Sequence, residues 1–481
     1  MNCTPVGPGS TGIEFGAGVC SIDWLPVNVI LRLPKWPETP PHMNLSSSEM
    51  RRPVGPGDPV ALGIDPETLA LLQGLQGDYG NVVSMTVDND RPAVFINDAA
   101  EIRQLLVRHH AKYRKGPGFE RVKMLLGNGV IVSDGATWRR ARTMIQPGFT
   151  RQNVHRLIGL MVDCCEKRVG TWEAVARRAG QINITQEMSD FALELIMRAI
   201  FGPDFERRIL QDGDNPFSFL SRESARDLRV VMKIRELRQL LLSIIEQRRS
   251  DGDTENLDFL SIYLSATDKS GNHFSDPELL DELMTLIVAG YETSACTLNW
   301  TWYLLACNPL AEQRLLDEAK HWIPDAAAVD VRTVTGMTFT QQLLEESLRL
   351  YPPVWLFTRR AEQDDSLLNF DLEAGTDIYL SPYILHRTAE YWPDPATFDP
   401  DRFGPESPYK KGDRPYIPFS LGPRRCLGEY FSFLEMKVHL GLLVQRFRMT
   451  LVTDEFPALD LGINLRSQND ILLRPELREN P

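Results

Sequence analysis

The chain has 481 residues, of which 43% are apolar and 24% are charged, and its formal net charge is −13. This composition is typical of a globular protein, and the negative charge argues against general binding to nucleic acid. Seven unevenly spaced cysteines make a poor disulfide framework and favour a reducing compartment. The apolar runs near the N-terminus are short and interrupted, so we predict a soluble, cytoplasmic protein with no transmembrane segment. A peripheral membrane contact through Trp24, Leu25, Ile30 and Trp36 is the alternative.

The first part of the chain alternates between segments rich in turn residues and segments with regular apolar spacing. Residues 1–60 are rich in Pro, Gly and Ser and are predicted to form an extended leader. Residues 61–481 are enough for one large domain built around a cofactor. Alternating apolar residues from Asn81 to Ile96 predict a β-hairpin, and a helix is predicted from Asp98 to His109. Lys112–Ser133, with its glycine clusters, is predicted to be a loop.

A helix that opens at Asp134 places Trp138 and Arg142 one turn apart. The indole N–H and the guanidinium then share a face that suits a carboxylate ligand. Taken alone, such a pair is more often a core residue beside a rim residue. Helical patterns continue over 152–178, 186–200 and 223–249 and are interpreted as scaffold.

The longest predicted helix runs from Asp276 to Cys307, and a capping box and a proline in the first turn mark its start. In its middle, the small residues Ala289 and Gly290 precede an acid, Glu292, and a hydroxyl, Thr293. The hydroxyl can hydrogen-bond to a carbonyl of the preceding turn and loosen the helix there. A glycine and threonine that only allow close helix packing are the alternative interpretation.

A further predicted helix, 339–350, contains Glu346 and Arg349 three residues apart and ends at a Pro-Pro pair. On a surface such a pair is worth only about 0.2–0.5 kcal/mol. In a buried site, breaking it would cost roughly 3–5 kcal/mol. The bulky residues that follow are predicted to be extended, and segments 447–452 and 461–473 alternate enough to form a small C-terminal sheet.

Cys426 stands in a loop rich in glycine and arginine, directly before a predicted helix, 429–443. The free N–H groups at a helix N-terminus favour a thiolate. A thiolate suits haem iron as an axial ligand, because it donates electron density that promotes cleavage of the O–O bond. A chemically inert cysteine in a turn is the alternative.

The neighbours of this cysteine each suit a haem site. Gly422 and Gly428 allow the backbone to approach a flat macrocycle, and Phe419 can shield the sulfur from water. Arg424 can reach a haem propionate as a charge-assisted donor. With Cys426, these positions fit F-x-x-G-x-R-x-C-x-G, which resembles the signature of the cytochrome P450 family.

The resemblance to cytochromes P450 extends over roughly Asp78–Arg474. The other matching motifs are W-x-x-x-R at 138–142, A-G-x-[DE]-T at 289–293 and E-x-x-R at 346–349. The resemblance implies a mainly α fold with small β-sheets and a single catalytic domain over 61–481. In that fold, haem b is buried between the long helix and the cysteine loop.

The resemblance also implies residue roles. The cofactor-binding residues are Trp138, Arg142, Arg360, Phe419, Gly422, Arg424, Cys426 and Gly428, with Cys426 as the iron ligand. Arg360 is preferred to Arg359 as a propionate partner because of its spacing to the acidic turn at Asp365. The residues of the O₂ groove and of proton delivery are Ala289, Gly290, Glu292 and Thr293. A structural ion network joins Glu346, Arg349 and Arg402. The largely apolar substrate pocket is formed by Phe119, Leu125, Ile287, Trp355, Phe357 and Ile463.

The predicted function is that of a haem-thiolate monooxygenase that hydroxylates or epoxidises a small apolar substrate with O₂. Electrons would come ultimately from NAD(P)H through a separate reductase or a ferredoxin- or flavodoxin-type donor. A lipid, terpenoid or polyketide-like compound of secondary metabolism is the suggested substrate. The basic surface predicted to bind the electron donor consists of Arg139, Arg140, Lys411, Arg414 and Arg425.

Two other functions stay open. One is a P450-type isomerase or peroxide-dependent enzyme, and the other is a haem-binding sensor or carrier without turnover. Members that do not activate O₂ often lack the acid and threonine pair, which this chain retains as Glu292 and Thr293.

Overall fold

The computed structural model describes residues 51–87, 90–210, 215–219, 228–252, 258–407 and 415–478, apart from the side chains of residues 121, 125 and 228–232. Most of the predicted leader therefore lies outside the described residues. Its last ten residues lie against the rest of the chain. The Arg51 side chain pairs with Asp371 at 2.9 Å, and Val60 forms a parallel β-bridge with Val87.

Helices form the larger part of the described chain. In chain order they are α1 (Pro66–Tyr79), α2 (Ala99–Arg103), α3 (Phe119–Leu126), α4 (Gly135–Ile145), α5 (Arg151–His155), α6 (Ile158–Arg177), α7 (Ile184–Phe201), α8 (Leu228–Asp251), α9 (Phe259–Ser265), α10 (Asp276–Cys307), α11 (Pro309–Trp322), α12 (Val331–Gly336), α13 (Thr338–Leu350), α14 (Pro382–Leu385) and α15 (Glu429–Arg446). A π-helical turn, Gln104–Arg108, continues α2.

Short strands form small sheets beside the helices. The strands are β1 (Val82–Val87), β2 (Arg91–Ile96), β3 (Tyr113–Lys115), β4 (Ile182–Asn183), β5 (Phe357–Ala361), β6 (Asp365–Ser366), β7 (Asp371–Leu372), β8 (Asp377–Leu380), β9 (Phe447–Leu451), β10 (Leu459–Leu461), β11 (Leu465–Ser467) and β12 (Leu472–Leu477). The largest sheet has the strand order β1-β2-β8-β5-β3, in which β2 and β8 are parallel. Strands β4, β12 and β9 form a second sheet, and the β10–β11 hairpin and the β6–β7 pair stand apart from it.

Helix α10 is the centre of the fold. It packs along α7 and also contacts α8, α13 and α15. Because it is surrounded by other helices, most of its side chains are buried on every face rather than along one stripe. Its predicted bounds are confirmed, as is the capping box between Ser275 and Glu278.

Most other predicted elements are confirmed, with shifted ends. The β1–β2 hairpin is antiparallel with Val82 opposite Ile96. The predicted helix 152–178 is divided into α5 and α6, and 461–473 is divided among the last three strands. No helix among the described residues is long and apolar enough to cross a membrane.

The prediction of a loop over Lys112–Ser133 is wrong, since this segment contains β3 and α3. Strand β3 forms by pairing with β5, which lies far away in sequence. Helix α3 is bracketed by Gly118 and Gly127, whose φ angles are +95° and +84°. These glycines end a short helix because they reach left-handed conformations, and they are not signs of an irregular loop.

Candidate active site

The loop that carries Cys426 is folded tightly on itself. The Cys426 N–H donates to the carbonyl of Phe419 at 3.0 Å, and the Arg425 N–H donates to the carbonyl of Gly422 at 3.0 Å. Gly422 has a φ of +68°, and a Cβ at this position would overlap the carbonyl oxygen of Leu106. Glycine is therefore required at 422 by both backbone conformation and packing against the turn after α2.

The Cys426 sulfur faces the start of α15. The backbone N–H groups of Gly428 and Glu429 hydrogen-bond toward it, as expected at a helix N-terminus. Cys426 is accessible, yet neighbouring protein atoms displace enough water that burial raises the pKa of its thiol. The two N–H groups and the Arg142 guanidinium act in the opposite direction. The helix terminus alone therefore does not make a thiolate here, whereas coordination to a metal would.

Four cations gather beside this loop around one carboxylate. Arg142 donates to the carbonyl of Arg425 at 2.8 Å, and Arg424 donates to the carbonyl of Ser133 at 3.0 Å. Arg424 also pairs with Asp134, whose second oxygen accepts from the Lys115 backbone N–H at 3.1 Å. The group consists of Lys115, Arg142, Arg359 and Arg424, with Asp134 as the carboxylate; we call it the cation cluster.

The mutual repulsion of the cation cluster appears in the pKa values of its members. Burial and the neighbouring Arg424 lower the pKa of Arg359 to about 10. The same two causes, together with Arg359 itself, lower the pKa of Lys115 well below its ordinary value. Burial also lowers the pKa of Arg142. Asp134 is the carboxylate that pairs with this group, and Glu362 acts on Arg424 more weakly, so the positive charge is not fully balanced here.

Trp138 forms one wall of the cation cluster. The Arg424 guanidinium lies 4.2 Å from the centre of its indole ring, a distance that allows a cation–π contact. Trp138 is buried and projects from α4 on the same face as Arg142. On the other side of the cysteine, the Phe419 ring packs against Phe433 at 5.5 Å.

These residues fit a haem. Its two propionates would supply the negative charge that the cation cluster lacks, and its iron would find a single thiol beside them. Among the described residues, no group of three or more His, Cys, Asp or Glu side chains is placed to hold a bare metal ion. A macrocycle that brings its own nitrogen ligands is consistent with one protein ligand at Cys426.

Arg360, which the resemblance assigns to a haem propionate, has a protein partner in the structure. Arg360 pairs with Asp377 through two hydrogen bonds of 2.5 and 2.9 Å. The two residues stand opposite each other in the β5–β8 register, so the arginine is already satisfied there. Side chains alternate along a strand, which turns Arg359 toward the cation cluster instead.

On α10, Thr293 carries out the hydrogen bond predicted for it. Its Oγ donates to the carbonyl of Ala289 at 2.9 Å, and the hydroxyl of Thr297 in turn donates to the carbonyl of Thr293 at 2.8 Å. Leu286, Ala289 and Thr293 are each only partly buried and lie at helical spacing on one face. This face of an otherwise buried helix can therefore contact a ligand. Leu286 belongs to the face, although the motif at 289–293 does not include it.

Gly290 has a packing role in the structure. A Cβ at this position would lie 2.7 Å from the Ile196 side chain on α7. The two long helices approach each other so closely here that any larger residue would force the Ile196 side chain to move. This agrees with the packing role that the sequence left open for the glycine, and the O₂-groove role stays a prediction.

Glu292 has a partner that the sequence did not reveal. The Arg466 Nε on β11 donates to Glu292 Oε1 at 2.8 Å, and Arg466 Nη2 contacts the same oxygen. Burial opposes the charge of Arg466, but Glu292 together with Cys296 and Tyr291 outweighs this effect, so the pKa of Arg466 is raised. No local motif signals a pair that spans 174 residues of sequence.

The predicted pocket residues are divided by the structure. Ile287 and Trp355 retain 0% and 1% of their accessible surface, so they belong to the packed core and do not face an open pocket. Ile463 is 55% exposed at the tip of the β10–β11 hairpin. Phe119 and Phe357 are partly accessible, and the Leu125 side chain lies outside the described residues.

The structure brings Glu346, Arg349 and Arg402 together, with Glu346 and Arg349 fully buried and Arg402 partly buried. Arg349 Nε donates to Glu346 Oε2 at 2.6 Å, and Arg402 Nε lies 3.5 Å from Glu346 Oε1. Burial raises the pKa of Glu346, and Arg349 opposes this by direct hydrogen bonding. Arg349 and Arg402 both favour its ionised form, and the group ties α13 to the segment that carries Arg402.

Three residues of the basic surface predicted to bind an electron donor lie in the described part of the chain. Arg140 is already paired with Asp268 at 2.9 Å and Glu278 at 2.8 Å, and Arg425 is paired with Glu429 at 2.5 Å. Arg139 is exposed. Lys411 and Arg414 lie outside the described residues.

Comparison with known proteins adds to this geometry. Residues 62–473 match the sequence model of the family described as Cytochrome P450. The chain is 32% identical over 388 residues to cyclooctatin synthase of Streptomyces melanosporofaciens, covering 77% of this chain and 83% of that protein. It is 27% identical over 368 residues to pentalenene oxygenase of Streptomyces avermitilis, covering 73% and 81%. It is 29% identical over 415 residues to cytokinin hydroxylase of Arabidopsis thaliana, covering 80% and 79%.

Among solved structures, the heme domain of cytochrome P450DA is similar in fold. The TM-score is 0.77, and the match covers 86% of this chain and 93% of that chain at 24% sequence identity. This similarity confirms the predicted mainly helical architecture with small sheets.

Proposed function

This chain belongs to the cytochrome P450 family, whose members use haem and O₂ as monooxygenases, and we propose that it oxidises a compact, apolar hydrocarbon skeleton. The observation that carries the proposal is the coincidence of a lone cysteine at a helix N-terminus with the uncompensated cation cluster. Cys426 would ligate the iron, and Arg142, Arg359, Arg424 and Lys115 would hold the propionates. When bound, the haem supplies the centre at which O₂ is activated.

The balanced reaction is R–H + O₂ + 2 e⁻ + 2 H⁺ → R–OH + H₂O, or the corresponding epoxidation of an alkene. The protein must therefore deliver two protons for each turnover. We assign this role to Thr293 and Glu292. The Thr293 hydroxyl donates its hydrogen to the Ala289 carbonyl. Its oxygen can therefore accept a hydrogen bond from water in the pocket.

The proposed substrate class rests on two supports. The accessible face of α10 presents Leu286 and Ala289, and the partly accessible Phe119 and Phe357 are apolar as well. Cyclooctatin synthase and pentalenene oxygenase are bacterial relatives with terpene-modifying names. A terpenoid hydrocarbon is therefore the substrate class to test first.

The electrons would come from NAD(P)H through a separate protein. A ferredoxin- or flavodoxin-type donor would approach from the side of the cysteine loop, where Arg139 is exposed. Since Arg140 and Arg425 are engaged in ion pairs, the donor would depend on fewer cations than the sequence predicted. Charge reversal at Arg139 that leaves the rate of reduction unchanged would remove this part of the proposal.

The experiment that tests the proposed function uses ¹⁸O₂. Purified protein, a surrogate ferredoxin with its reductase, NADPH and a panel of cyclic terpene hydrocarbons are incubated, and products are analysed by mass spectrometry. We expect a product that carries one ¹⁸O atom, and we expect Thr293→Ala to divert electrons into hydrogen peroxide. Absence of oxygenated product with any donor would contradict the proposal. Product formed only when hydrogen peroxide is supplied would favour a peroxide-dependent enzyme.

A further inference from the structure

The Glu292–Arg466 ion pair joins the proton-delivery segment of α10 to the C-terminal β10–β11 hairpin. The Glu292 side chain is 12% exposed and the Arg466 side chain is 38% exposed. The pair therefore stands at the boundary between solvent and the interior, with the arginine on the outer side. Glu292 precedes Thr293, whose hydroxyl is placed on the ligand-facing side of the helix.

We propose that Arg466 is a positioning residue for proton uptake, which orients the Glu292 carboxylate at this boundary. The inference rests on the proposed function, because it assigns Glu292 to proton delivery. Glu292 takes one proton from solvent water and releases it toward water bound at Thr293, so that the carboxylate is restored after each transfer. Arg466 itself neither gains nor loses a proton in this cycle.

Among the ionisable groups beside Arg466, Glu292 is the buried anion. Arg466 also contacts the side chains of Tyr291 and Cys296. Burial raises the pKa of both, to about 12 for Cys296, so each is neutral near pH 7. Asp460 stands opposite Arg466 on the exposed strand of the hairpin and is the second carboxylate that faces it.

The hairpin is fixed well enough to define the position of Arg466. The Leu465 N–H donates to the carbonyl of Pro353 at 2.8 Å, and the indole of Trp355 donates to the carbonyl of Gly462 at 2.9 Å. On the other side of Arg466, Ser467 is buried and accepts a hydrogen bond of 3.2 Å from Asn299 on α10. The guanidinium thus reaches Glu292 from a strand held by contacts at both of its ends.

The direct test compares Arg466→Gln and Arg466→Lys with the wild type in turnover by the loaded enzyme. We expect Arg466→Gln to lower the fraction of electrons recovered in product at least threefold, with hydrogen peroxide as the remainder, and to increase the solvent isotope effect on turnover. We expect Arg466→Lys to restore most of the coupling, since it keeps a cation at the same position. In a Glu292→Gln background, Arg466→Gln should change neither quantity further.

Ser467→Ala is the matched control, because it loosens the same strand without touching Glu292. We expect its coupling and isotope effect to equal those of the wild type. The same loss of coupling in Ser467→Ala would show that Arg466 only anchors the hairpin. A further loss on adding Arg466→Gln to Glu292→Gln would show that Arg466 does not act through the carboxylate. Either result overturns the inference.

A second measurement does not depend on activity. The Tm values of Arg466→Gln, Glu292→Gln and the double variant form a double-mutant cycle for the holoprotein. We expect the sum of the Tm losses of the two single variants to exceed the Tm loss of the double variant. Additive losses would contradict a direct interaction. If the wild type makes no product at all, the proposed function fails, while this cycle still reports on the pair.

Discussion

Two buried groups of arginines in this protein differ in how their charge is balanced. All five N–H donors of Arg349 have acceptors: Glu346 takes two, and the carbonyls of His386, Pro395 and Thr397 take the others. In the cation cluster, Arg359 is almost equally buried, and the hydrogen bond it makes goes to the carbonyl of its neighbour Thr358. A buried cation is costly unless it is paired. Arg349 is therefore saturated within the protein, whereas we propose that the cation cluster takes its anions from a ligand.

The difference separates two roles that look alike in sequence. Both groups lie in family motifs, and both contain an arginine with less than a tenth of its surface exposed. What distinguishes them is whether protein acceptors saturate the guanidinium. Saturation around Arg349 indicates a structural tie, and its lack around Arg359 indicates a binding site.

The largest expected effect is at the saturated group. Arg349→Met should cost roughly 3–5 kcal/mol of the free energy of unfolding, because it leaves Glu346 buried beside the more distant Arg402 alone. The control is Arg314→Met, which removes a half-exposed arginine paired with Asp401 and should cost less than about 1 kcal/mol. Urea unfolding monitored by circular dichroism measures both. Equal losses would mean that saturation does not distinguish the two sites.

The comparison of buried charges extends to a buried acid, Glu435, which has a hydroxyl and not a cation as its partner. Glu435 on α15 hydrogen-bonds to Ser294, and burial raises its pKa to about 8. The folded protein then keeps a proton that the unfolded chain releases above its ordinary pKa of 4.5. Stability from this group is full below about pH 4.5 and falls as the pH rises toward 8.

Glu435→Gln should therefore flatten the pH dependence of stability. We expect it to remove a decline of roughly 2–3 kcal/mol between pH 5 and pH 7, since a shift of one pKa unit is worth about 1.4 kcal/mol. The amide keeps a hydrogen-bonding group for Ser294. Urea unfolding of both proteins at a series of pH values measures the difference. An unchanged slope in the variant would show that Glu435 is not protonated in the folded state.

At the unsaturated group, the effect should fall on the ligand rather than on the fold. Arg359→Met should leave the Tm of the loaded protein within a few degrees and increase the rate of haem loss about tenfold or more. The reason is that a hydrogen bond to a charged group is worth about 1.5–3 kcal/mol. Transfer of haem to an excess of a haem-scavenging protein gives the rate. A large fall in stability with unchanged haem loss would place Arg359 among the structural arginines.

The smallest effect on haem retention is expected at the next residue of the same strand. Arg360→Gln removes the nearer of the two cations beside the buried Asp377 and leaves Arg91 at 3.9 Å, so it should lower stability. It should leave haem loss at the wild-type rate. Faster haem loss in Arg360→Gln than in Arg359→Met would reverse the assignment and restore the residue that the sequence favoured.

Local signals explain which parts of the fold could be predicted. Helix α10 was placed correctly because its capping box and the following Asn308-Pro309 are short-range features. The sequence predicts a loop in place of helix α3, because the glycines at the two ends of this helix resemble loop residues when only the sequence is read. Strand β3 was missed because it exists only through pairing with β5.

The same division holds for the candidate site. Cys426 and Trp138 stand in spaced motifs, and both lie beside the cation cluster, where Trp138 contacts Arg424 and Cys426 interacts with Arg142. The choice between Arg359 and Arg360 depended on the strand register with Asp377, which spacing cannot show. Arg466 lies in no motif, and its place beside Glu292 follows from tertiary packing alone.

The central claim is that Cys426 is the iron ligand of a haem held by the cation cluster. The most direct measurement is the visible spectrum of the purified protein, reduced with dithionite and exposed to carbon monoxide, in the wild type and in Cys426→Ser. We predict a thiolate-type shift of the Soret band in the wild type and its loss in the variant. Absence of haem, or a spectrum that Cys426→Ser leaves unchanged, would contradict the account.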